Sequence, residues 1–233
     1  MRHKQKSALI VGAGAGVSAA LARLCAADDM AVALAARNTE KLTDIAHETG
    51  ASTHQCDASQ IDQVAALFTE TDNNIGTPDL VVYNPSARVR GPIGDLDPHA
   101  AQDAVTITCF GAFLVAQQAA KRMLVRGSGS ILFTGASAGV NGFANSSVFA
   151  MGKFGLRGLA QALARELHPQ NIHIGHFVID GGIANAARDD RIDDGSDNML
   201  SPDAIAQTYM QFHKQHRSAW AWEVELRPWA ERF

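Results

Sequence analysis

With 233 residues, 46% of them hydrophobic and 19% charged, the chain holds enough apolar material for one globular domain with a substantial core. A formal net charge of -4, and no basic run beyond the Arg2-His-Lys-Gln-Lys6 start, leave no electrostatic footprint for nucleic acid. Three cysteines, Cys25, Cys56 and Cys109, lack CxxC spacing and argue for a reducing, cytoplasmic setting; Arg23 and three glycines interrupt the N-terminal Ala/Gly-rich run, so no signal peptide, membrane span or membrane partner is expected.

The first predicted strand, 8–11, runs into Gly12-Ala-Gly14-Ala-Gly16-Val17-Ser18, which opens a helix over 16–28. Glycines between a strand and a helix let the backbone turn tightly and approach a pyrophosphate, whose charge the helix N-terminus favours. The second strand, 31–35, is followed by Ala36-Arg37-Asn38. An acidic residue there would bind an adenosine ribose, whereas a guanidinium suits a 2′-phosphate, so Arg37 points to NADP(H) in preference to NAD(H). Asn38 is the expected N-cap of a helix over 39–49, and Gly50 its stop.

A third strand, 52–56, leads into Asp57-Ala58-Ser59 and a helix over 60–73; a fourth, 80–83, leads into Asn84-Pro85-Ser86. Helix 98–125, strand 130–134, helix 146–168 and strand 173–179 follow. In helix 146–168, Val148, Met151, Leu156, Leu159, Leu163 and Leu167 recur at three-to-four spacing, and Pro169 ends it. The segment 185–198 carries five aspartates and reads as a solvated lid; counted as a calcium loop it places Ile192 and Ser201 at ligand positions, so no metal is expected. A last strand, 220–226, alternates Trp220, Trp222, Val224 and Leu226 with Ala221, Glu223, Glu225 and Arg227, and both tryptophans are expected in the core. Apolar strands without strict alternation, each followed by a helix, predict a single-domain α/β Rossmann fold with a doubly wound, seven-stranded parallel sheet.

The glycine loop, Arg37, Cys56-Asp57-Ala58-Ser59, Tyr83-Asn84-Pro85-Ser86, Phe149-Ala-Met-Gly-Lys153 with Phe154-Gly-Leu-Arg-Gly-Leu159, and Asp180-Gly181-Gly182-Ile183 together resemble the short-chain dehydrogenase/reductase family over nearly the whole chain. The resemblance implies cofactor contacts from Gly12, Gly14, Gly16, Val17, Asp57, Ala58, Asn84, Ser86, Gly181 and Ile183, with Lys153 on the nicotinamide ribose. It also implies departures from the family's Asn, Ser, Tyr and Lys. The Asn falls at Thr108, the Ser at Ala136 with Ser137 beside it, and Phe149 occupies the Tyr position.

Phenylalanine has no proton to give, and general acid catalysis contributes roughly two to four orders of magnitude. The two tyrosines offer little: Tyr83 is expected to pack beside adenosine or core, and Tyr209 lies far off in the last helix. Ser137, Ser146 and Ser147 could relay a proton or position a carbonyl, and nine histidines show no metal-ligand spacing. Two functions follow: an NADP(H)-dependent oxidoreductase acting on a small carbonyl or alcohol with a degenerate catalytic tetrad, or a non-catalytic NADP(H)-binding sensor or scaffold. A homo-dimer or homo-tetramer is expected through helices 98–125 and 146–168, because Ala150, Gly152, Gly155, Gly158 and Ala162 would admit a close neighbour.

Overall fold

The computed structural model describes residues 5–185, 191–192 and 194–230, so part of the predicted lid, including Asp189, Asp190 and Asp193, lies outside the described residues. Strand β1 (Ser7–Val11) and helix α1 (Val17–Ala27) begin the fold, followed by β2 (Ala31–Ala36), α2 (Thr43–Thr49), β3 (Ser52–Gln55) and α3 (Ile61–Asn74). The second half runs β4 (Leu80–Tyr83), α4 (Pro98–Val105), α5 (Gly111–Arg126), β5 (Gly129–Thr134), α6 (Ser147–Leu167) and β6 (Ile172–Ile179). It closes with β7 (Gly182–Ile183), β8 (Met199–Leu200), α7 (Pro202–His213) and β9 (Glu223–Leu226).

Seven strands pair in the order β3-β2-β1-β4-β5-β6-β9, all parallel, and β7 pairs with β8 separately. Residues of one strand alternate between two apolar layers, as the pleat requires. Leu9 and Val11 join Phe68, Val115 and Leu156 on one face, while Ala8 and Ile10 join Leu21, Ile205 and Tyr209 on the other. Both faces are covered, so β1 is buried at all five positions. Each fully buried aliphatic of this kind contributes roughly 1.5–3 kcal/mol. The chain leaves β1 for β2 on one side and returns to β4 on the other. Between the carboxyl ends of β1 and β4 the connections diverge, and a crevice opens where doubly wound sheets bind ligands.

Several predicted elements change at their ends. The 39–49 helix begins as a 3-10 turn, Glu40–Leu42, with Asn38 Oδ1 accepting from Glu40 N at 2.9 Å, and Gly50 stops it at φ 68°. Pro169 sits in a 3-10 turn just after α6. The expected 220–226 strand shrinks to β9. Trp220 Nε1 donates to Gln215 O at 3.0 Å and its ring stacks on His173 at 4.4 Å, which holds residue 220 outside the sheet, just after a 3-10 turn at Arg217–Ala219. Trp222 is partly buried and packs against the core, whereas Trp220 lies half-buried at a surface groove, so the expectation of two core tryptophans is corrected for Trp220.

Helix 98–125 is one continuous helix, Pro98–Arg126, interrupted by a π turn at Thr106–Phe110. By length and composition it is long and apolar enough to cross a membrane, contrary to the sequence expectation; here it packs on α3 and α6. The π turn brings Thr108 and Cys109 against α6, where a Cβ on Gly152 would lie 2.9 Å from Thr108 and one on Gly155 2.7 Å from Cys109 Sγ. Those two glycines therefore serve an internal helix contact, which corrects their assignment to a neighbouring subunit.

Candidate functional site

Two clefts of about 370 and 390 Å³ open at the carboxyl ends of β1 and β4 and meet at Asn84 and Ser86. Gly12 shapes the meeting point. Its φ of +77° suits glycine, and a Cβ there would lie 2.6 Å from Pro85, so loop 12–16 and segment 84–86 are in contact only because no side chain intervenes. Gly14, Gly16 and Val17 line the first cleft, and a Cβ on either glycine would meet nothing within 4 Å. That open space lies at the N-terminus of α1, whose free N–H groups favour an anion.

Ser18 has a direct role here. Asn84 Nδ2 donates to Ser18 Oγ at 2.9 Å, tying the end of β4 to the first turn of α1. The second cleft holds Arg37, Asp57 and Ala58, and also Lys41, which sequence reasoning passed over. Lys41 rides on the 3-10 turn that replaces the start of the predicted helix. Two cations therefore border this cleft. Asp57 Oδ1 accepts from Ser59 N at 3.0 Å and from Ser59 Oγ at 2.7 Å, which fixes its carboxylate at the rim.

The inner end of the first cleft holds Thr134, Ala136, Phe149, Lys153, Gly181 and Ile183. Lys153 is 2% exposed and donates from Nζ to Thr134 O at 2.7 Å. Burial, assisted by the charge of Arg88, pushes its ammonium down to about 7. One helical turn away, Phe149 forms a small apolar cluster with Ala136 and Ala138. Arg88 lies over its ring at 4.2 Å, and Lys153 Nζ is 5.8 Å from the ring centre.

Tyr209 is not remote. It donates to Thr134 Oγ1 at 2.9 Å, so the residue that holds Lys153 by its carbonyl is itself held by its hydroxyl. Tyr209 is fully buried and stacks on Phe177, and burial pushes its phenol upward. Tyr83 donates to Ile107 O inside the π turn, and burial, then the nearby Asp57 charge, raise its phenol too. Neither phenol lines a cleft at the Lys153 end. Thr108 Oγ1 accepts from Ala87 N at 3.1 Å and so holds the loop after β4.

Ser137 and Ser146 line a third cleft of about 410 Å³, which shares Arg88, Ala136, Phe149 and Arg191 with the first; Ser147 Oγ is buried without a partner. His173 and His176 lie on opposite faces of β6. His173 is sandwiched between Phe212 and Trp220, and His176 Nδ1 pairs with Glu223 at 3.0 Å. Among the described residues no His, Cys, Asp and Glu group is arranged to hold a metal.

Residues 6–196 match the short chain dehydrogenase family. The chain is 26% identical over 212 residues to carbonyl reductase family member 4 of Xenopus laevis, covering 88% of this chain and 89% of that protein. It is similar to the crystal structure of a short-chain dehydrogenase from Rhodopseudomonas palustris, with 32% identity and a TM-score of 0.84 over 96% of this chain and 99% of the other. It is similar also to a metagenomic short-chain oxidoreductase crystallised in complex with NADP, at 26% identity and a TM-score of 0.83 over 97% and 99% of the two chains.

Proposed function

The chain belongs to the short-chain dehydrogenase family, an oxidoreductase family, and from that premise we propose that it binds NADP(H) across the two joined clefts and acts on a small carbonyl or alcohol with a reduced catalytic set. The observation that carries the reading is the meeting of a cation-bordered cleft and a Lys153-bearing cleft at Asn84 and Ser86. Arg37 and Lys41 would take the 2′-phosphate, with Asp57 and Ala58 beside the adenine. The glycine loop and Val17 would take the pyrophosphate, Asn84 and Ser86 the span between, and Lys153 the nicotinamide ribose, with Gly181 and Ile183 beside the carboxamide. The dinucleotide, when bound, supplies the hydride chemistry.

In this reading Phe149 stands where the family places its tyrosine acid, so the chain marks a divergent subgroup. Lys153 orients the ribose without a phenol to tune, and Ser137 is left to position the substrate oxygen. The apolar cluster of Ala136, Ala138 and Phe149 favours a second reading, a non-catalytic NADP(H)-binding sensor or scaffold. Equilibrium binding of NADPH tests the first half of the proposal, and consumption of bound NADPH against a carbonyl panel separates the two readings. Failure to bind either dinucleotide defeats both.

The same proposal includes a homo-dimer or homo-tetramer. Phe110, Phe113, Met151 and Phe154 are all more than 40% exposed on the helices that carry the π turn and α6. Exposed aromatics at that density are typical of an interface core. Cys25, Cys56 and Cys109 are all free thiols, which fits a reducing cytoplasm.

A further inference from the structure

Thr134 joins the Lys153 cleft to the apolar layer on the other face of the sheet. It ends β5, lines the first cleft and is 8% exposed. Its carbonyl accepts from Lys153 Nζ at 2.7 Å, and its hydroxyl is hydrogen bonded to that of Tyr209 at 2.9 Å. A bond between two hydroxyls uses one of their two protons, and either group is chemically able to donate.

The surroundings decide which one does. Tyr209 is fully buried, stacked on Phe177 at 3.8 Å and packed in the layer that holds Ile10, Leu21 and Ile205. Among the described residues Thr134 is the one hydrogen-bond partner of its hydroxyl. If Thr134 donated, the phenol proton would be left in that layer without an acceptor, at the full desolvation cost of a buried donor. With Tyr209 as the donor, the proton left over belongs to Thr134, which borders the cleft, where a ligand oxygen can take it. Burial also pushes the Tyr209 phenol upward, so it keeps its proton and remains a donor near neutral pH.

We propose that Tyr209 fixes Thr134 as a hydrogen-bond donor into the cleft, and that the Thr134 hydroxyl binds an oxygen at the nicotinamide end of the dinucleotide, beside Lys153. The inference rests on the NADP(H) reading above and adds to it one binding residue, Thr134, and one positioning residue, Tyr209. Lys153 spends one of its three N–H groups on Thr134 O, so its other donors and the Thr134 hydroxyl meet the ligand side by side. No residue of α7 lines any of the three clefts, so what Tyr209 contributes there it contributes through Thr134.

The test is equilibrium titration with NADPH and, separately, with 2′,5′-ADP, which carries the phosphorylated adenosine end and lacks the nicotinamide end. Thr134→Val should weaken NADPH by roughly two- to tenfold, the worth of one hydrogen bond, and leave 2′,5′-ADP unchanged. Thr134→Ser should bind NADPH as the native protein does. Tyr209→Phe should weaken NADPH when Thr134 is present and have no effect when added to Thr134→Val, where no hydroxyl is left to direct. That double variant removes both members of the buried pair and leaves no orphaned donor, so it carries the comparison if Thr134→Val alone does not fold. Native NADPH affinity in Thr134→Val or in the double variant overturns the inference. So does a loss that extends to 2′,5′-ADP, or a Tyr209→Phe effect of equal size in both backgrounds, since each marks a structural role. If the native protein binds neither ligand, the function proposed above fails and takes the inference with it, an outcome distinct from native binding that Thr134→Val leaves untouched.

Discussion

Lys153 Nζ and the carbonyl oxygen of Thr134 lie 2.7 Å apart in a buried pocket, one helical turn from the ring of Phe149. The bond holds Lys153 Nζ at the cleft end where the proposed function puts the reacting carbonyl, with no phenol lining the cleft there. Restoring Phe149→Tyr together with Ala136→Ser should therefore raise single-turnover NADPH oxidation by roughly 10²–10⁴-fold, the usual contribution of a positioned general acid. Adding Lys153→Met should remove most of that gain. Fast turnover by the native protein, with no improvement in the double variant, would show that another group already supplies the proton.

Arg37 and Lys41 border the same cleft, and charge-assisted bonds to a phosphate are stronger than neutral ones. NADPH should raise the melting temperature more than NADH at equal concentration. Arg37→Asp with Lys41→Ala should abolish the difference. A tenfold affinity change is about 1.4 kcal/mol, worth roughly 3–6 °C in a domain of this size. Equal shifts for the two cofactors in the native protein would remove the case for a phosphate site.

The glycine loop allows stability to be separated from binding. Gly12→Ala forces a side chain onto Pro85 in a left-handed backbone position and should cost at least about 1–3 kcal/mol of stability. Gly14→Ala meets nothing within 4 Å, so its urea midpoint should be near native while NADPH binding weakens. A Gly14→Ala protein that binds NADPH normally would argue against a pyrophosphate in the cradle.

Burial pushes the imidazoles of His173, His176 and His213 down to about 4. Their unfolded value is about 6.5. Between those values the unfolded chain takes up protons that the folded chain refuses, so stability is fully present above pH 6.5 and is lost as pH falls toward 4. The urea midpoint should drop clearly between pH 7.5 and pH 5. His173→Phe, which keeps a ring between Phe212 and Trp220, should flatten that decline. An unchanged midpoint would show that these sites accommodate the charge.

If the exposed stripe on α6 and the π turn is an interface, Met151→Glu with Phe154→Glu should convert the assembly to monomers without lowering the melting temperature of the isolated domain by more than a few degrees. Light scattering at micromolar concentration reads the outcome. A native protein that is already monomeric would dispose of the oligomer.

The sheet was legible because its strands are short apolar runs with helical periodicity between them, a pattern that depends on sequence neighbours alone. Arg37 and the glycine loop could be placed because they sit at the ends of such strands. Lys41 could not, since its approach to the cleft depends on a 3-10 turn inside a segment that reads as plain helix. The Tyr209–Thr134 bond joins residues 75 apart, and the stacking of Arg88 on Phe149 joins residues of a loop and a helix; no periodicity marks either. The two glycines of α6 had a legible smallness, but only the π turn decides that Thr108 and Cys109, and not another chain, fill the space.

The edge of β6 is closed by β9, the last of the seven strands to leave a ribosome. All eight residues of β6 are buried in the finished fold, and Glu223 at the start of β9 binds both Arg157 and His176. Until residues 223–226 emerge, a nascent chain presents β6 as an open edge of unpaired backbone, rich in Ile, Phe and Val, which is a template for pairing with another chain. Synthesis stalled or truncated between β6 and β9 should thus yield an intermediate prone to edge pairing, with residues 223–226 as the cap on that edge.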